Sequence, residues 1–511
     1  MLGRWLRSAQ NALQRSFSAD AALAPSSSSS GSGGGGRASD TIGRRLLTLI
    51  FAKRSAVITL NKWAEEGKPL SKYQLNRVVR ELRKYKRYKH ALEVCEWITT
   101  QKTIQLLPGD YAVHLDLIAK VRGLPSAEKF FVDLPEKMRG QATCTSLLHN
   151  YVRNKLTVQA EDLMEKMSAC GFLKSPLPYN HMITLYIATS QFEKIPPIIE
   201  EIKKKTSADV FTYNLWLNMC AICNDVEGAE KVFLELKKEK IPADWVTYST
   251  LAGIYVSANL PEKARDSLKE MEKRVSKQVR VGYCSLISSY ANLCDKDNVQ
   301  RIWKKMKSSF RNMNDAEYTS MIASLVKLGD MKEAERLYDE WCSVSGTKDS
   351  RIPNLLLAVY IKESTMDKAE KFHELTVQRG IVPCYTTWEL LSWGYLGAAK
   401  MDKVLDCFKK ALSSVRKWEP NEEMVQAVFS KLEMQGNIKG AEKFLAMLRD
   451  AGYVTTMIYN SLLRTYVKAG RMPLIIVERM MKDNVELDEE TDQLIKAASK
   501  LCVSEVPGIL F

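Results

Sequence analysis

No apolar run in the 511 residues approaches the roughly 20 that a helix needs to cross a bilayer. The stretch from Leu46 to Trp63 is preceded by Arg44 and Arg45 and broken by Lys53 and Arg54, so no membrane anchor is expected. The unbroken apolar core of a secretory signal is also missing from the first seventeen residues. Histidine is scarce: His90, His114, His149, His181 and His373 stand in no metal or catalytic spacing. Eleven cysteines share no framework of spacings, and disulfides are not expected in the reducing compartment argued below. The only C-x-x-C, Cys220 to Cys223, has no second pair and no nearby histidine, whereas zinc takes four ligands; packing is the reading for it. Gly33 to Gly36 lack both a preceding strand and a following GK[ST], which excludes a phosphate loop. The deaminase signature H-x-E followed by P-C-x-x-C is absent. Acidic residues are plentiful but lie on helical polar faces, where they solvate the helix. Neither cofactor, metal nor catalytic site is expected.

What is present is a repeat. Phe211 to Asp244, FTYNLWLNMCAICNDVEGAEKVFLELKKEKIPAD, reads as two short helices. Leu215, Leu217, Met219 and Ile222 give the first an apolar face, and Ala229, Val232, Phe233 and Leu236 the second. Asn224-Asp225 breaks between them and Pro242 closes the unit. Such a pair leaves an apolar side facing water and needs neighbours.

Shifting the chain against itself supplies them. The residue after the opening tyrosine of this unit recurs as Asn76, Ala112, Thr145, Asn180, Asn214, Ser249, Cys284, Thr319, Asn354, Glu389, Gln426 and Asn460, spaced 33 to 37 apart. These anchors number units one to twelve. The position before the anchor is Tyr111, Tyr179, Tyr213, Tyr248, Tyr283, Tyr318 or Tyr459, with Trp388 once, and packing between units is the reading for it. Fifteen residues after the anchor the second helix carries a small residue, Ala91, Ala127, Ala160, Ala229, Ala264, Ala334, Ala369 or Ala441, where helices must approach closely. Ile195, Val299, Val404 and Ile475 stand there in the other four units. Twelve units over residues 72–488 make the fold class all-α, an α-solenoid superhelix, and overrule the several domains that length alone suggests.

The period near 35, the openings FTYN, VTYS and IYN and the closings IPAD and VELD resemble pentatricopeptide repeats. The tetratricopeptide pattern W-x2-L-G-x2-Y, which has a similar period, is not legible. LRKYKRYKHALEVCEW at Leu82 to Trp97 and LDLIAKVRGL at Leu115 to Leu124 resemble the N-terminal part of a plant P-class subgroup of mitochondrial members.

In chain order, MLGRWLRSAQNALQRSF holds Arg4, Arg7 and Arg15, and no acid precedes Asp20. Leu2, Leu6, Leu13 and Phe17 fall on one side of a helical wheel, the pattern of a mitochondrial transit peptide over residues 1–17, with cleavage expected after Phe17; a plastid address shares this composition. Residues 18–40 are a Ser/Gly-rich linker, 41–71 an N-terminal helical cap, and 489–511 a C-terminal cap.

The charge of +15 falls to +12 once the three arginines of residues 1–17 are removed, and it favours a polyanionic partner. The densest cluster is Arg77, Arg80, Arg83, Lys84, Lys86, Arg87 and Lys89, with Tyr85 and Tyr88 interleaved. It is either a solvated helix face or a phosphate-binding surface, for which Arg80, Arg83, Arg87 and Lys89 are the candidates.

The resemblance implies RNA binding, with about one base read per unit by two or three side chains. The reading pair it implies is the anchor plus the last residue of the same unit. Asn180 with Asp209 and Asn214 with Asp244 imply uracil, and Thr319 with Asp349 implies guanine. The same asparagines and aspartates also suit helix caps and turns. Other units depart: Thr145 with Ser175, Ser249 with Val279, Cys284 with Asn314, Asn354 with Cys384, Glu389 with Asn421 and Gln426 with Thr455. No contiguous target can be written from them.

Relatives that cut or edit RNA carry an added C-terminal domain, for which residues 489–511 are too short, so the chain is not expected to be an enzyme. Two function classes follow. One is a mitochondrial single-stranded RNA-binding protein acting in processing, stability or translation of transcripts. The other is a scaffold or mitoribosome-associated subunit held by organellar proteins and ribosomal RNA.

Overall fold

In the computed structural model, residues 41–47, 55–101, 103–344, 346–415, 418–473 and 475–503 are described. The transit peptide and its cleavage site, the Ser/Gly-rich linker, Leu49, Ile50, Phe51, Lys53 and Arg54 of the cap, and residues 504–511 lie outside them.

The described helices fall into two compact bodies, within Ser18–Arg274 and Val275–Phe511. The first contains α1 (Ile42–Leu47), α2 (Ala56–Glu65), α3 (Lys72–Lys84), α4 (Tyr88–Thr100), α5 (Pro108–Arg122), α6 (Leu124–Asp133), α7 (Gln141–Arg153), α8 (Thr157–Ala169), α9 (Leu177–Ala188), α10 (Ile195–Lys205), α11 (Val210–Cys223), α12 (Val226–Lys238), α13 (Trp245–Ser257) and α14 (Pro261–Arg274). The second contains α15 (Arg280–Asn292), α16 (Lys296–Ser309), α17 (Asp315–Lys327), α18 (Met331–Val344), α19 (Arg351–Lys362), α20 (Met366–Gln378), α21 (Tyr385–Gly397), α22 (Met401–Ser413), α23 (Glu422–Met434), α24 (Ile438–Asp450), α25 (Thr456–Lys468), α26 (Ile476–Lys482) and α27 (Glu489–Val503). No strand occurs among the described residues. The fold is an all-α solenoid of two-helix units: first helices pack on their own second helices in units one to eleven and, within each body, on the first helix of the next unit from unit two onward.

The two helices of a unit bury themselves differently. α12 buries one stripe, Ala229, Val232 and Leu236, at helical spacing. α11 instead buries Thr212, Tyr213, Asn214, Leu217 and Cys220, because neighbours cover it on several sides. This corrects the apolar face expected for α11: Leu217 is fully buried, but Ile222 is 48% exposed. Cys220 is buried and Cys223 exposed, and both thiols are free.

The small residues of the second helices mark the tightest seam. Ala91, Ala127, Ala160, Ala229, Ala264, Ala334, Ala369 and Ala441, with Ile195, Val299 and Val404, are all fully buried. Ile475 does not join them. It is exposed, at φ 55°, and α26 begins only at Ile476, so in unit twelve the seam is displaced.

Eleven of the twelve units turn between their helices through one left-handed residue ten positions after the anchor; unit two turns instead at Gly123, eleven after Ala112, at φ 92°. Lys86, Lys155, Ser190, Asn224, Asn259, Cys294, Gly329, Ser364, Ala399, Gly436 and Gly470 all have φ between 53° and 75°. In unit five the Asn224 turn lets Asp225 N–H reach the Cys220 carbonyl at 2.9 Å, the wrap that ends a helix cleanly. The Asp225 carboxylate then caps α12 by accepting from Gly228 N–H at 2.8 Å.

Polar latches join successive units. Glu161 in unit three accepts from Tyr186 at 2.8 Å and Lys194 at 2.7 Å in unit four. Glu230 does the same with Tyr255 and Lys263, Glu335 with Tyr360 and Lys368, and Glu442 with Tyr466 and Arg479. The lysines or arginines hold Glu161 and Glu230 below the usual carboxylate range, chiefly by direct hydrogen bonds. Each latch spans one unit boundary, so its effect multiplies along the stack.

Candidate nucleic-acid interface

The anchor tyrosines are inward-facing. Tyr179, Tyr213, Tyr283, Tyr318 and Tyr459 are almost fully buried. Tyr179 reaches Glu201 at 3.1 Å, Tyr213 reaches Glu235 at 3.2 Å and Tyr318 reaches Glu340 at 3.0 Å, each across its own unit. Packing within and between units therefore occupies them, and no face is left on which a base could stack.

The next residue, the anchor, points toward the start of the following unit. In unit four the Asn180 amide nitrogen donates to Asp209 at 3.4 Å, and its amide oxygen accepts from the Thr212 hydroxyl at 2.9 Å. Asp209 also caps α11, accepting from Thr212 N–H at 2.8 Å. Unit five repeats this: Asn214 donates to Asp244 at 3.1 Å, accepts from Thr247 at 2.7 Å, and Asp244 caps α13 through Thr247 N–H at 2.9 Å. Capping and anchor contact, alternatives in the sequence, are thus simultaneous: a carboxylate has lone pairs enough for both.

Thr319 and Asp349 are not joined by a hydrogen bond. The Thr319 hydroxyl donates back to the Asp315 carbonyl at 2.6 Å. Asp349 accepts from both Nε and a terminal nitrogen of Arg351, which holds its carboxyl below the usual range. Ser350, not Asp349, occupies the position before α19.

Two further units build the amide arrangement: unit twelve, which is not among the sequence-derived pairs, and unit nine, whose Asn354 with Cys384 departs from the expected residue types. Asn460 donates to Asp488 at 3.1 Å and accepts from Thr491 at 2.7 Å. Asn354 donates to the Cys384 thiol sulfur at 3.6 Å and accepts from Thr387 at 2.9 Å. The legible signal was the threonine of the FTYN and VTYS openings, which sits two before one anchor yet serves the anchor of the preceding unit. In unit ten the polarity reverses, for Asn421 donates to the anchor carboxylate of Glu389 at 2.7 Å. Burial raises the Glu389 pKa. In unit seven, Glu317 fills the threonine's place and pairs with Arg280 instead.

The clamped anchors are shielded. Asn214 is 9% exposed, while Asn180 and Asn354 are 2% exposed.

The basic cluster divides. Arg83 is paired with Asp116 at 2.9 Å, and Asp116 also holds Lys120 at 2.9 Å. Arg87 donates to the Leu47 carbonyl at 2.7 Å, tying α1 to the first unit. Arg80 and Lys89 are exposed, as are Arg77, Lys84 and Lys86. Neither Arg80 nor Lys89 forms an ion pair among the described residues. His149 and His181 lie with ring centroids 5.1 Å apart, and burial lowers both pKa values, His181 to about 4, which keeps them neutral at pH 7. Among the described residues no cluster of His, Cys, Asp and Glu could hold a metal, and no helix is long and apolar enough to cross a membrane.

This stack of 35-residue helical pairs defines a class, and comparison with known proteins gives the family. The PPR repeat family matches residues 208–255, and the PPR repeat matches 142–172, 246–274, 281–309 and 318–343. A mitochondrial pentatricopeptide repeat-containing protein of Arabidopsis thaliana is 64% identical over 92% of this chain and 88% of its own length. A second from the same plant, also mitochondrial, is 34% identical over 84% of this chain and 88% of its own length. The solved maize pentatricopeptide repeat protein PPR10 aligns over 91% of this chain and 73% of its own, at 16% identity and a TM-score of 0.41. The chain belongs to the pentatricopeptide repeat family as a plant mitochondrial member.

Proposed function

We propose that the chain binds single-stranded mitochondrial RNA along its first helices and acts, without catalysis, in the processing, stability or translation of transcripts. The observation that carries this reading is the repeated placement of an anchor amide against a capping acceptor at units four, five and nine. A structural cap alone needs no amide from the unit before it. Each such amide keeps one N–H and one lone pair unspent, the complement of a base's Watson–Crick edge. By likeness to the family, Asn180 with Asp209 and Asn214 with Asp244 read adjacent uracils. Thr319 with Asp349 reads guanine only where Asp349 leaves Arg351. Arg80 and Lys89 contribute phosphate contacts, while Arg83 and Arg87 serve the fold.

Crosslinking and sequencing of RNA bound to the tagged protein in purified mitochondria, fractionated on a sucrose gradient, tests this. The expected result is a sharp footprint on one or a few messages, in light fractions, with U-U facing units four and five. Footprints confined to ribosomal RNA in ribosomal fractions would overturn it in favour of a scaffold.

A further inference from the structure

An asparagine amide can turn over. Rotation by 180° about its last bond exchanges the oxygen and the nitrogen, and with them the order of donor and acceptor shown to a ligand. Uracil offers an N–H beside a carbonyl on its Watson–Crick edge; cytosine offers a ring acceptor beside an amino donor, the reverse order. A freely turning amide therefore accepts either pyrimidine. Discrimination requires the amide to be fixed.

Both ends of the anchor amide are fixed, by residues of the next unit. The Asp209 and Asp244 carboxylates only accept, so they hold the nitrogen end. The oxygen end is held by the hydroxyls of Thr212 and Thr247, at 2.9 and 2.7 Å. These threonines are 1% and 0% exposed, so water does not compete for the contact. Each hydroxyl has one hydrogen, shared between the amide oxygen and the carboxylate, which lies 2.8 Å from Thr212 and 3.0 Å from Thr247. The Thr247 oxygen also accepts from Asp244 N–H at 3.3 Å, which directs its hydrogen away from the backbone and toward that pair.

The chain itself shows the association. Asn180, Asn214, Asn354 and Asn460 face Thr212, Thr247, Thr387 and Thr491. Where the anchor is Thr145, Ser249, Cys284, Thr319, Glu389 or Gln426, the corresponding residue is Pro178, Gly282, Glu317, Ile352, Met424 or Ile458; unit two keeps a threonine, Thr143, opposite an anchor without an amide, Ala112. Asn76 is the remaining asparagine, and there Asp110 fills the place and accepts from its amide at 3.1 Å. In unit nine the acceptor is Cys384, weaker than a carboxylate, so Thr387 carries more of the orientation. In unit twelve Glu490 takes the second amide hydrogen of Asn460 at 3.3 Å and leaves no donor for a base.

We infer that Thr212, Thr247 and Thr387 are positioning residues for base selection, presetting the anchor amides of Asn180, Asn214 and Asn354 so that uracil is taken and cytosine refused. This rests on the base-reading function proposed above. The reading element is then three residues drawn from two units: anchor, cap, and the threonine three after the cap.

The test compares the purified full chain with its T247V, T247S and N214T variants on a randomised 20-nucleotide single-stranded RNA pool. Asn214 is chosen because it is the most open of the clamped anchors. Expected is a roughly tenfold fall in the uracil-over-cytosine ratio at the nucleotide facing unit five for T247V. T247S should keep the ratio within about twofold, and the preference facing unit four should be unchanged in both. That local pattern is one that a general loss of stability would not produce. A wild-type preference that N214T shifts but T247V leaves intact would overturn the positioning role alone. A wild type with no base preference at any unit would overturn the base-reading function and this inference with it.

Discussion

Units five and eight have the same written signature, an anchor followed thirty residues later by an aspartate, and they are built differently. Asn214 and Asp244 meet at 3.1 Å with Thr247 closing the arrangement. Thr319 and Asp349 spend themselves separately, one on a backbone carbonyl and the other on Arg351. The difference lies in what stands near the cap. Thr247 is a small hydroxyl with one hydrogen to give, whereas the same place in unit eight holds Ile352, fully buried, and Arg351 is next to it. A pair of positions is thus insufficient; in these two units the residues beside the cap differ along with the assembly of the pair, Thr247 in one and Arg351 with Ile352 in the other.

The sharpest way to break this comparison is to remove the two anchors. Asn214→Ala should lower base discrimination at its nucleotide by about 10- to 100-fold, the worth of one well-placed pair of hydrogen bonds, whereas Thr319→Ala should change base preference less than about twofold. Sequencing of RNA retained from a random pool reads both. Next in size is the basic cluster. Arg80→Gln with Lys89→Gln should reduce the slope of log affinity against log salt by about 1.4, two phosphates at about 0.7 each. Arg83→Gln should instead leave the slope unchanged and lower the melting temperature, because Asp116 loses a partner.

Smaller effects separate the two caps. Asp244→Ala removes the carboxylate that caps α13 and should cost about 1 kcal/mol. Asp349→Ala removes a surface pairing with Arg351 and should stay within about 0.5 kcal/mol by denaturant unfolding. The smallest effects are in the pH dependence, where two sets of glutamates act in opposite directions. Glu161, Glu230, Glu335, Glu370 and Glu442 have lowered pKa values. Their contribution to stability is complete above the unfolded value of about 4.3 and is lost as pH falls through the lower folded values. Glu389 has a raised pKa, because burial disfavours its charge. The fold therefore gains from Glu389 as it protonates and loses as pH rises through its folded value, so Glu389→Gln should raise the melting temperature at pH 7 and give no gain in acid.

Much of this architecture could be read from the chain because a repeat states its rule many times over. The Ala seam at Ala229 or Ala264, the break at Asn224-Asp225 and the buried tyrosines all follow from period and residue size. Ile475 was misplaced because the period was carried through a segment where α26 starts late. Ile222 was misread because a first helix covered by several neighbours does not follow one amphipathic stripe. The latches escaped notice although a second tyrosine recurs six residues after the anchor, at Tyr151, Tyr186, Tyr255, Tyr290, Tyr360, Tyr395 and Tyr466. Their partner glutamates lie in the preceding unit, and a motif read one unit at a time does not pair them. The clamping threonines were hidden for the same reason: Thr247 stands in the opening of unit six and acts on the anchor of unit five. Arg83 and Arg87 looked like their neighbours Arg80 and Lys89, since charge alone does not reveal which cations the fold has already paired.

The most direct test of the account is the base profile of random single-stranded RNA selected by the purified wild-type chain, resolved nucleotide by nucleotide along the bound site. Uracil enriched at two adjacent positions facing units four and five, again at the position facing unit nine, and no enrichment facing units six, seven or ten, is the predicted result. A flat profile, or a preference confined to nucleotides that face units without an amide clamp, would contradict it.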